Sequence, residues 1–404
     1  MYQSKLISKT RKQISQTEES LNARILIKAG YIEQVMAGVY AYLPLGYMVL
    51  KNIEKIVREE LDNISAQELL LPALHPKSYW EKTGRWDSLD VLYKFKSYYT
   101  ATELALGSTH EEIITPIAKN FIQSYQDLPF ATYQIQTKFR DEKRAKSGIL
   151  RGREFIMKDL YSFHSSTDCL DRYYELATQA YLNIYKKLGI GDITLKTYAS
   201  GGTFSKYSHE FQTISDIGED TIFVCEKCNI AVNKEIIDEQ KTCPECDNPN
   251  LIQNQSIEVG NIFKLQTKYS EAFGLEFTDE KGMDKPVIMG CYGIGISRLM
   301  GTLVEVFAKS DSKMLWPASV SPFDIHLIAL NTDSEEVVKK AEELYVTLQK
   351  AGRTVLFDNR NERPGVKFAE ADLIGIHKRV IISSKTINQN GVEINGQILS
   401  FDHI

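Results

Sequence analysis

The sequence predicts an α+β protein in which antiparallel strands and amphipathic helices precede a smaller α/β domain. Its 404 residues are too many for one ordinary domain and suit two or three. Alternating runs at Tyr133–Arg140 and Glu154–Phe163 predict an antiparallel hairpin. Apolar residues at helical spacing predict helices over Tyr47–Glu60 and Tyr173–Leu188. We found no internal repeat or low-complexity segment.

The end of the chain predicts a domain of its own, because the elements become shorter and alternate after Pro317. They are a strand, a helix and two strands, at Asp324–Leu330, Glu335–Lys350, Thr354–Phe357 and Arg379–Ile382. The helix is expected to turn five side chains inward: Val338, Ala341, Leu344, Tyr345 and Leu348. We place the boundary near residue 319, which gives domains of residues 1–319 and 320–404.

The composition is that of an ordinary globular protein, with 43% hydrophobic residues, 25% charged residues and a net charge of -5. No apolar run approaches the roughly 20 residues that cross a bilayer. The N-terminus lacks the apolar core of a secretion signal. We therefore expect a cytoplasmic protein without a membrane partner. The net negative charge of the chain does not exclude an RNA partner, since a basic RNA-binding surface can be local.

The stretch Lys138–Lys158 sets eight basic residues against three acidic ones inside the predicted hairpin. On the first strand the polar side chains share one face, which we expect to be wet: Gln134, Gln136, Lys138 and Arg140. Arg140 ends that strand, so its planar guanidinium is held rigidly enough to bind a phosphate or a carboxylate. A solvated hairpin tip is the alternative, and other segments must decide.

A glycine-rich segment, Met289–Met300, indicates a second anion site. Gly290, Gly293 and Gly295 allow a strand to pass closely under a ligand and turn into a helix that carries Arg298. No G-x-G-x-x-G motif is present, so we reject a dinucleotide fold. The segment suits a triphosphate, although close packing explains the glycines equally well.

The segment Gly107–Glu112 reads GSTHEE and places Thr109 and Glu111 on one side of an extended chain. These two side chains can accept hydrogen bonds from an ammonium group of a ligand. A serine or threonine followed by glutamate also begins helices, in this case a helix through Ile117.

Four of the six cysteines have zinc-ribbon spacing: Cys225, Cys228, Cys243 and Cys246. Two C-x-x-C pairs separated by fourteen residues favour a structural zinc site with four thiolates. Four protein ligands leave no open position, which argues against catalytic zinc. The alternative is two pairs that are reduced or form disulfides, and disulfides are uncommon in the cytoplasm.

In their amino-acid sequences and in their order along the chain, these segments resemble those of the bacterial-type prolyl-tRNA synthetases, which are class II aminoacyl-tRNA synthetases. The resemblance covers nearly the whole chain, through AGVYAYLPLGYMVLKNIEKIVREEL, LALGSTHEE, KFRDEKRAKSGILRGREFIMKDLYSFH, SHEF, EVGNIFKLQTKYSEA, MGCYGIGISRL and ERPGVKFAEADLIGI. It implies a proline-tRNA ligase that uses ATP with Mg²⁺ to activate L-proline and charge tRNA(Pro). It also implies a homodimer formed through Tyr47–Glu60 and Leu69–Leu74.

The resemblance assigns roles to individual residues. For proline these are Thr109, Glu111, Arg140, Met157, Asp159, Tyr161, His209 and Cys291. For ATP they are Arg140, Glu142, Arg151, Phe155, Glu258 and Arg298. Arg140 is expected to bridge the proline carboxylate and the α-phosphate, with Arg298 on the outer phosphates. Glu142 and Phe155 are expected to contact adenine, and Glu258 to hold Mg²⁺.

Several of these assignments have structural alternatives. Phe155 and Met157 share the apolar face of a strand and suit a core equally well, and His209 beside an acid is often a paired surface histidine. For tRNA we expect Arg144, with its basic neighbours Lys143 and Lys146, at the acceptor end. The anticodon set is Arg360, Arg363 and Lys367, where the alternative is a helix start at Pro364.

The chain departs from the family between Phe211 and Glu258, where about forty-five residues replace a large editing domain. We expect the four cysteines to close this gap as a zinc-stapled hairpin within residues 220–255, and we expect no hydrolysis of alanyl-tRNA(Pro). The segment Tyr198–Lys206 also differs, which leaves its ligand contacts open. Two other functions remain: a non-catalytic paralogue, and a class II enzyme for threonine or serine.

Overall fold

The computed structural model describes residues 1–13, 20–202 and 207–401. The chain divides into two compact units. The central unit comprises Met36–Val39 and Ile53–Thr302, and the terminal unit comprises Met1–Val35, Tyr40–Asn52 and Leu303–Ile404. The boundary near residue 319 stays a prediction. In the described part of the chain no helix combines the length and the apolar character needed to span a bilayer.

The helices, in chain order, are α1 (Leu21–Lys28), α2 (Pro44–Asp62), α3 (Lys77–Lys82), α4 (Arg85–Ser88), α5 (Glu111–Ala118), α6 (Thr167–Lys187), α7 (Lys268–Phe273), α8 (Ile296–Phe307), α9 (Glu335–Lys350), α10 (Pro364–Ile374) and α11 (Ser384–Ile387). The predictions for Tyr47–Glu60, Tyr173–Leu188 and Glu335–Lys350 are confirmed by α2, α6 and α9. The helix predicted through Ile117 is α5, which begins at Glu111.

The strands, in chain order, are β1 (Ile32–Met36), β2 (Val39–Tyr42), β3 (Gln67–Glu68), β4 (Leu74–Pro76), β5 (Lys94–Lys96), β6 (Glu103–Leu106), β7 (Phe130–Phe139), β8 (Glu154–His164), β9 (Thr194–Ser200), β10 (Tyr207–Ile214), β11 (Asp220–Cys225), β12 (Ile230–Asn233), β13 (Ile252–Gln266), β14 (Glu276–Thr278), β15 (Asp284–Pro286), β16 (Ile288–Gly295), β17 (Ile325–Ala329), β18 (Val355–Asp358), β19 (Arg379–Ile382), β20 (Gly391–Ile394) and β21 (Gln397–Ser400). The predicted hairpin is confirmed, since β7 and β8 pair antiparallel from Phe130 opposite Phe163 to Phe139 opposite Glu154.

One sheet organises the central unit. Among the described residues its order is β10-β9-β12-β11-β13-β16-β8-β7-β3. All neighbours are antiparallel except β3 with β7 and β12 with β9. The register places Gln134, Asp159, Gly293 and Asn261 side by side on four adjacent strands. We call the face that carries these residues the site face.

The opposite face of the sheet is covered by α6 and is called the helix face. It carries Leu160, Tyr292 and Ile262, which are side by side in the register. The hydroxyl of Tyr174 on α6 donates to the Ile262 carbonyl at 3.2 Å. The sheet thus has a packed face and a face that is available for a site.

The expectation that the polar face of β7 is wet is wrong for Gln134 and Lys138, whereas Gln136 and Arg140 are partly exposed. Gln134 and Lys138 both have a relative exposure of 0%. The amide of Gln134 donates to Asp159 Oδ2 at 3.0 Å, and Lys138 Nζ lies 2.6 Å from Asp159 Oδ1. These polar side chains lie inside because a carboxylate on the next strand pairs with them.

The terminal unit contains the predicted C-terminal strands. Within the described residues its sheet has the order β18-β17-β19-β20-β21, with β17 parallel to β18 and β19. The helix α9 packs on it, but the prediction for Val338 is wrong, since Val337 is 1% exposed and Val338 is 39% exposed. The N-terminal amine of Met1 donates to the Val355 carbonyl at 2.7 Å, which ties the start of the chain to this sheet.

Lys158 predicts a pH dependence of stability. It is fully buried on the helix face, donates to the Tyr181 hydroxyl and, at 3.0 Å, to the Tyr292 carbonyl. Burial lowers the pKa of Lys158 to about 7, against about 10.4 in an unfolded chain. Between these values only the unfolded chain holds the proton, so the free energy of unfolding rises with pH by up to about 1.4 kcal/mol per unit.

The measurement is urea unfolding of the wild type and of Lys158→Met at several pH values between about 6 and 10. The stability of the wild type relative to the variant should increase with pH in that window. The difference isolates Lys158 from other groups that titrate there. A difference that is independent of pH would contradict the prediction.

Candidate functional site

The floor of the site is the strand β16, whose glycines allow other groups to lie against its backbone. A Cβ atom at Gly293 would lie 2.5 Å from Met157 Cε and 2.8 Å from Asn261 Oδ1. Any larger side chain would therefore clash with Met157 and Asn261, which line the same pocket as Gly293. As predicted, β16 turns directly into α8, which carries Arg298.

Arg140 offers an unpaired guanidinium to this pocket. Its carbon Cζ lies 5.2 Å from the centre of the Phe155 ring, and its backbone N–H donates to the Arg153 carbonyl at 2.8 Å. In the described part of the chain its side chain makes no hydrogen bond or ion pair. Burial and the charge of Arg298 lower the pKa of Arg140. A half-buried cation without a counter-ion is suited to an anionic ligand.

Arg298 lines the same pocket but is held in place. Its Nε donates to the Leu150 carbonyl at 2.8 Å, and its Nη1 donates to the Glu258 carbonyl at 2.8 Å. The carboxylate of Glu258 lies 3.2 Å from Nη1 and also accepts from Asn261 at 2.9 Å. Three contacts orient the guanidinium, while Nη2 has no partner among the described residues.

Arg151 and Glu142 are paired with each other in this structure. Arg151 donates to Glu142 Oε2 through Nε at 3.1 Å and through Nη2 at 3.0 Å. Its Nη1 lies 3.5 Å from Glu219, which also accepts from Ser147 at 2.6 Å. Both residues line the pocket with Arg140. A phosphate that binds Arg151 would therefore have to replace the carboxylates of Glu142 and Glu219.

Thr109 and Glu111 meet in a second, more deeply buried part of the site face. The Thr109 hydroxyl donates to Glu111 Oε2 at 2.5 Å, and the Cys291 thiol donates to Glu111 Oε1 at 3.1 Å. The guanidinium of Arg85 lies 3.6 Å from Glu111 and donates to Glu112 at 2.9 Å. One buried cation therefore faces two buried carboxylates.

Asp159 and Tyr161 lie beside this cluster as hydrogen-bonding neighbours. The Tyr161 hydroxyl donates to Asp159 Oδ2 at 2.9 Å and accepts from the backbone N–H of His110 at 2.9 Å. Burial alone would raise the pKa of Asp159, but the charge of Lys138, the nearby His110 and the hydrogen bonds from Lys138 and Gln134 together lower it. Asp159 is thus a charged group that holds Tyr161 and Lys138 in place beside the site.

His209 is on the wrong face of the sheet for the predicted proline pocket, and that prediction is wrong. The register sets His209 opposite Ile262, which is on the helix face. Its Nδ1 lies 2.7 Å from the Tyr174 hydroxyl, and its ring contacts Tyr198 at 4.5 Å between centroids. The side chain therefore packs between strand and helix.

Glu210, the next residue, is on the site face opposite Asn261. It accepts from Gln212 and Asn233 at 2.9 Å each. Burial and the charge of Glu258 raise the pKa of Glu210. Burial also raises the pKa of Asp220, which lines the pocket with Glu258. Carboxylates therefore collect at one end of an otherwise basic pocket.

The four predicted metal ligands converge. Their Sγ atoms lie within 4.8 Å of one another: Cys225, Cys228, Cys243 and Cys246. The Sγ atoms of Cys225 and Cys246 are 3.8 Å apart. Zn–S bonds of about 2.3 Å in a tetrahedron give S···S separations of roughly 3.8 Å, whereas a disulfide bond is about 2.05 Å long. The donor set therefore fits zinc.

The predicted tRNA residues differ in their accessibility. Arg144 and Arg363 are exposed. Arg360 is bound to Asp358 at 2.8 Å and to Glu370 at 2.7 Å. Lys367 is 1% exposed and donates to the Ala329 carbonyl at 2.7 Å, so its prediction as a tRNA contact is wrong. Its ammonium stabilises the strand ends of its own unit, and α10 begins at Pro364 as the alternative predicted.

Sequence reasoning missed Arg85, Glu112, Lys138 and Glu210. Arg85 lies in a four-residue helix without a motif of its own. Glu112 is the second acid of GSTHEE, and the role of binding an ammonium was predicted for the first acid, Glu111. Lys138 was assigned to solvent with the polar face of β7. For Glu210 the available signal was strand alternation, because adjacent residues of a strand point to opposite faces.

Comparisons with known families agree with this geometry. Residues 93–307 match the class II core domain of the tRNA synthetases for G, H, P, S and T. Residues 324–396 match the anticodon binding domain. The first match contains the β7–β8 hairpin, β16 and α8, and the second lies in the terminal unit.

Curated relatives extend the likeness to most of the chain. A proline-tRNA ligase of Listeria innocua serovar 6a is 35% identical over 93% of this chain and 92% of its own length. One from Geobacillus kaustophilus is 33% identical, with coverages of 95% and 94%. The first alignment runs over 527 residues although this chain has 404. The relative therefore carries a segment that this chain lacks.

A solved structure has the same fold. It is the prolyl-tRNA synthetase of Cryptosporidium parvum in complex with L-proline and AMP. The TM-score is 0.76, with 95% of this chain and 72% of the other covered, at 19% identity. The same synthetase in complex with halofuginone and AMPPNP gives the same TM-score.

Replacing one cysteine tests the metal site. We expect the purified wild type to contain one zinc ion per chain by atomic absorption, and Cys228→Ser to lose most of it and to melt at a lower temperature. The reason is that three ligands and a hydroxyl bind zinc more weakly than four thiolates. Cys169→Ser, outside the cluster, is the control and should keep its zinc. Equal zinc contents in both variants would refute the site.

Proposed function

The chain belongs to the proline-tRNA ligase family of class II aminoacyl-tRNA synthetases, and we propose how its residues divide the reaction between an amino-acid site and a nucleotide site. The enzyme activates L-proline with ATP and transfers it to tRNA. The central unit carries both sites on one face of its sheet. The observation that carries the proposal is the unpaired guanidinium of Arg140 between a buried acidic cluster and a basic pocket.

The amino-acid site binds a zwitterion. Arg85 is shared by Glu111 and Glu112, and Lys138 neutralises Asp159. Burial raises the pKa of Glu112 to about 7, and when Glu112 is ionised this cluster has one negative charge in excess. That charge suits the secondary ammonium of proline, held by Thr109 and Glu111. The proline carboxylate then pairs with Arg140, and Met157, Tyr161 and Cys291 surround the ring.

The nucleotide site is the basic pocket. Phe155 stacks on adenine, Glu142 accepts from its amino group, and Arg151 and Arg298 hold the outer phosphates. Arg140 is unpaired there, and the two neighbouring arginines can exchange their carboxylate partners for phosphate oxygens. Glu258 fits Mg²⁺, because it is a carboxylate in the pocket with Glu210 and Asp220 nearby. Mg²⁺ held by Glu258 would supply positive charge that offsets the charge of the phosphates.

Arg140 joins the two sites and positions the reacting groups. A carboxylate oxygen of proline attacks the α-phosphorus, the bond from that phosphorus to the bridging oxygen breaks, and diphosphate leaves. A ribose hydroxyl at the 3′ end of tRNA then attacks the acyl carbon, and AMP leaves. The first step needs two anions to be brought together, so charge neutralisation and orientation supply the catalysis without a protein base.

The remaining assignments concern partners. Arg144 and its exposed neighbours Lys143 and Lys146 face the acceptor end of tRNA, and Arg360 and Arg363 face the anticodon. The exposed side chains of Leu70 (75%) and Leu74 (47%) support a homodimer through Leu69–Leu74. The four cysteines hold a structural zinc ion, and the compartment is the cytoplasm.

Pyrophosphate exchange against a panel of amino acids tests the assignment. We expect exchange that depends on proline, and a loss of about 10²- to 10³-fold in kcat/KM for Arg140→Lys, which keeps the charge but not the planar fork. Arg353→Lys, at an exposed position of the terminal unit, is the control and should behave as the wild type. No exchange would indicate a non-catalytic paralogue, and dependence on threonine or serine would indicate a sibling enzyme.

Proofreading is the second test. A pocket for proline discriminates against the smaller alanine by only about 1–3 kcal/mol per methylene, or roughly 10- to 200-fold. We therefore expect mischarging, and we expect alanyl-tRNA(Pro) to decay at the same rate with and without the purified protein. Rapid deacylation by the protein would show that this chain contains an editing site.

A further inference from the structure

A buried lysine contacts both Asp159 on the sheet and His110 in the turn that carries Thr109 and Glu111. Lys138 on β7 is 0% exposed. Its Nζ lies 2.6 Å from Asp159 Oδ1 and donates to His110 Nδ1 at 2.8 Å. Since His110 accepts at Nδ1, its proton lies on Nε2, which donates to the Pro72 carbonyl at 3.1 Å. Burial and the charge of Lys138 lower the pKa of His110 to about 3, so the ring is neutral.

The contact between Lys138 and His110 affects the site because His110 is adjacent in sequence to two proposed ligand-binding residues. His110 lies between Thr109 and Glu111, the two residues that face the ligand ammonium. Its backbone N–H donates to the Tyr161 hydroxyl, which donates to Asp159. Lys138 therefore holds this turn to the sheet twice, through the imidazole and through Asp159.

We propose that Lys138 is a positioning residue of the amino-acid site, one that fixes the turn of Thr109 and Glu111 through its contacts with His110 and Asp159. This inference rests on the proposed roles of Thr109 and Glu111. Lys138 touches neither substrate in that arrangement. Its removal should impair proline binding without a matching loss of ATP binding.

Lys138→Met tests the proposal in the pyrophosphate exchange assay. The expected result is a KM for proline that is about 10- to 100-fold higher, with a KM for ATP within about twofold of the wild type. Lys158→Met is the matched control, because it removes a buried lysine of the same sheet from the helix face. That variant should keep the wild-type KM for proline.

A double variant separates positioning from stability. Lys138→Met leaves Asp159 buried without its counter-ion, which destabilises the fold. Lys138→Met/Asp159→Asn removes that charge as well and should regain stability, but its KM for proline should stay high because the bond to His110 is still missing. A double variant with a wild-type KM for proline would overturn the proposal, as would equal increases in KM for proline and ATP.

The pH profile gives an independent readout. Asp159 is faced by Lys138 and Gln134 from β7, by Tyr161 from its own strand and by His110, while Glu111 and Arg140 act on Lys138. In Lys138→Met, kcat/KM for proline should show an additional ionisation between about pH 5 and 9, and Asp159→Asn should remove it. The absence of this ionisation would overturn the proposal. A wild type without proline-dependent exchange would refute the proposed function instead.

Discussion

Two guanidinium groups that line one pocket impose the constraint on which the rest of the site depends. Arg298 is neutralised by Glu258, but Arg140 has no counter-ion in the described part of the chain, and burial and the charge of Arg298 lower its pKa. Such an arrangement costs free energy until an anion enters. The fold tolerates this cost because Arg140 directly follows β7, a strand that is paired over ten residues with β8. The hairpin rigidly holds a charge that only the ligand balances.

The acidic cluster is the electrostatic complement of that constraint. Arg140 lacks an anion, while the cluster of Glu111, Glu112 and Asp159, when all three are ionised, lacks a cation after Arg85 and Lys138 are counted. Under the proposed assignment, a zwitterionic amino acid supplies both charges at once and is oriented by them. Because the basic pocket begins at Arg140, the carboxylate of the amino acid would then lie next to the phosphates. Orientation and activation therefore follow from one distribution of charge.

The sequence was sufficient for features that depend on neighbouring residues. Alternation predicted the β7–β8 hairpin, and glycine spacing predicted the turn from β16 into α8 with Arg298. The errors concern pairing between distant segments. The face of His209 is set by its register with Ile262, fifty-three residues later, and Lys138 is buried because Asp159 lies on the adjoining strand. Lys367 was misplaced because charge alone does not reveal that a lysine satisfies carbonyls at strand ends.

The short insertion is stable because it shares the core of the catalytic sheet. Within the described residues β11 and β12 lie between β13 and β9, and since β10 also pairs with β13 the five strands close into a ring. Leu195 of β9 packs there against Ile222 and Val224 of the insertion. The four cysteines converge at the end of this segment, from Cys225 at the end of β11 onward. Because Asp220 of this segment and the adjoining Glu219 line the pocket with Arg140 and Arg298, the short insertion also forms part of the wall of that pocket.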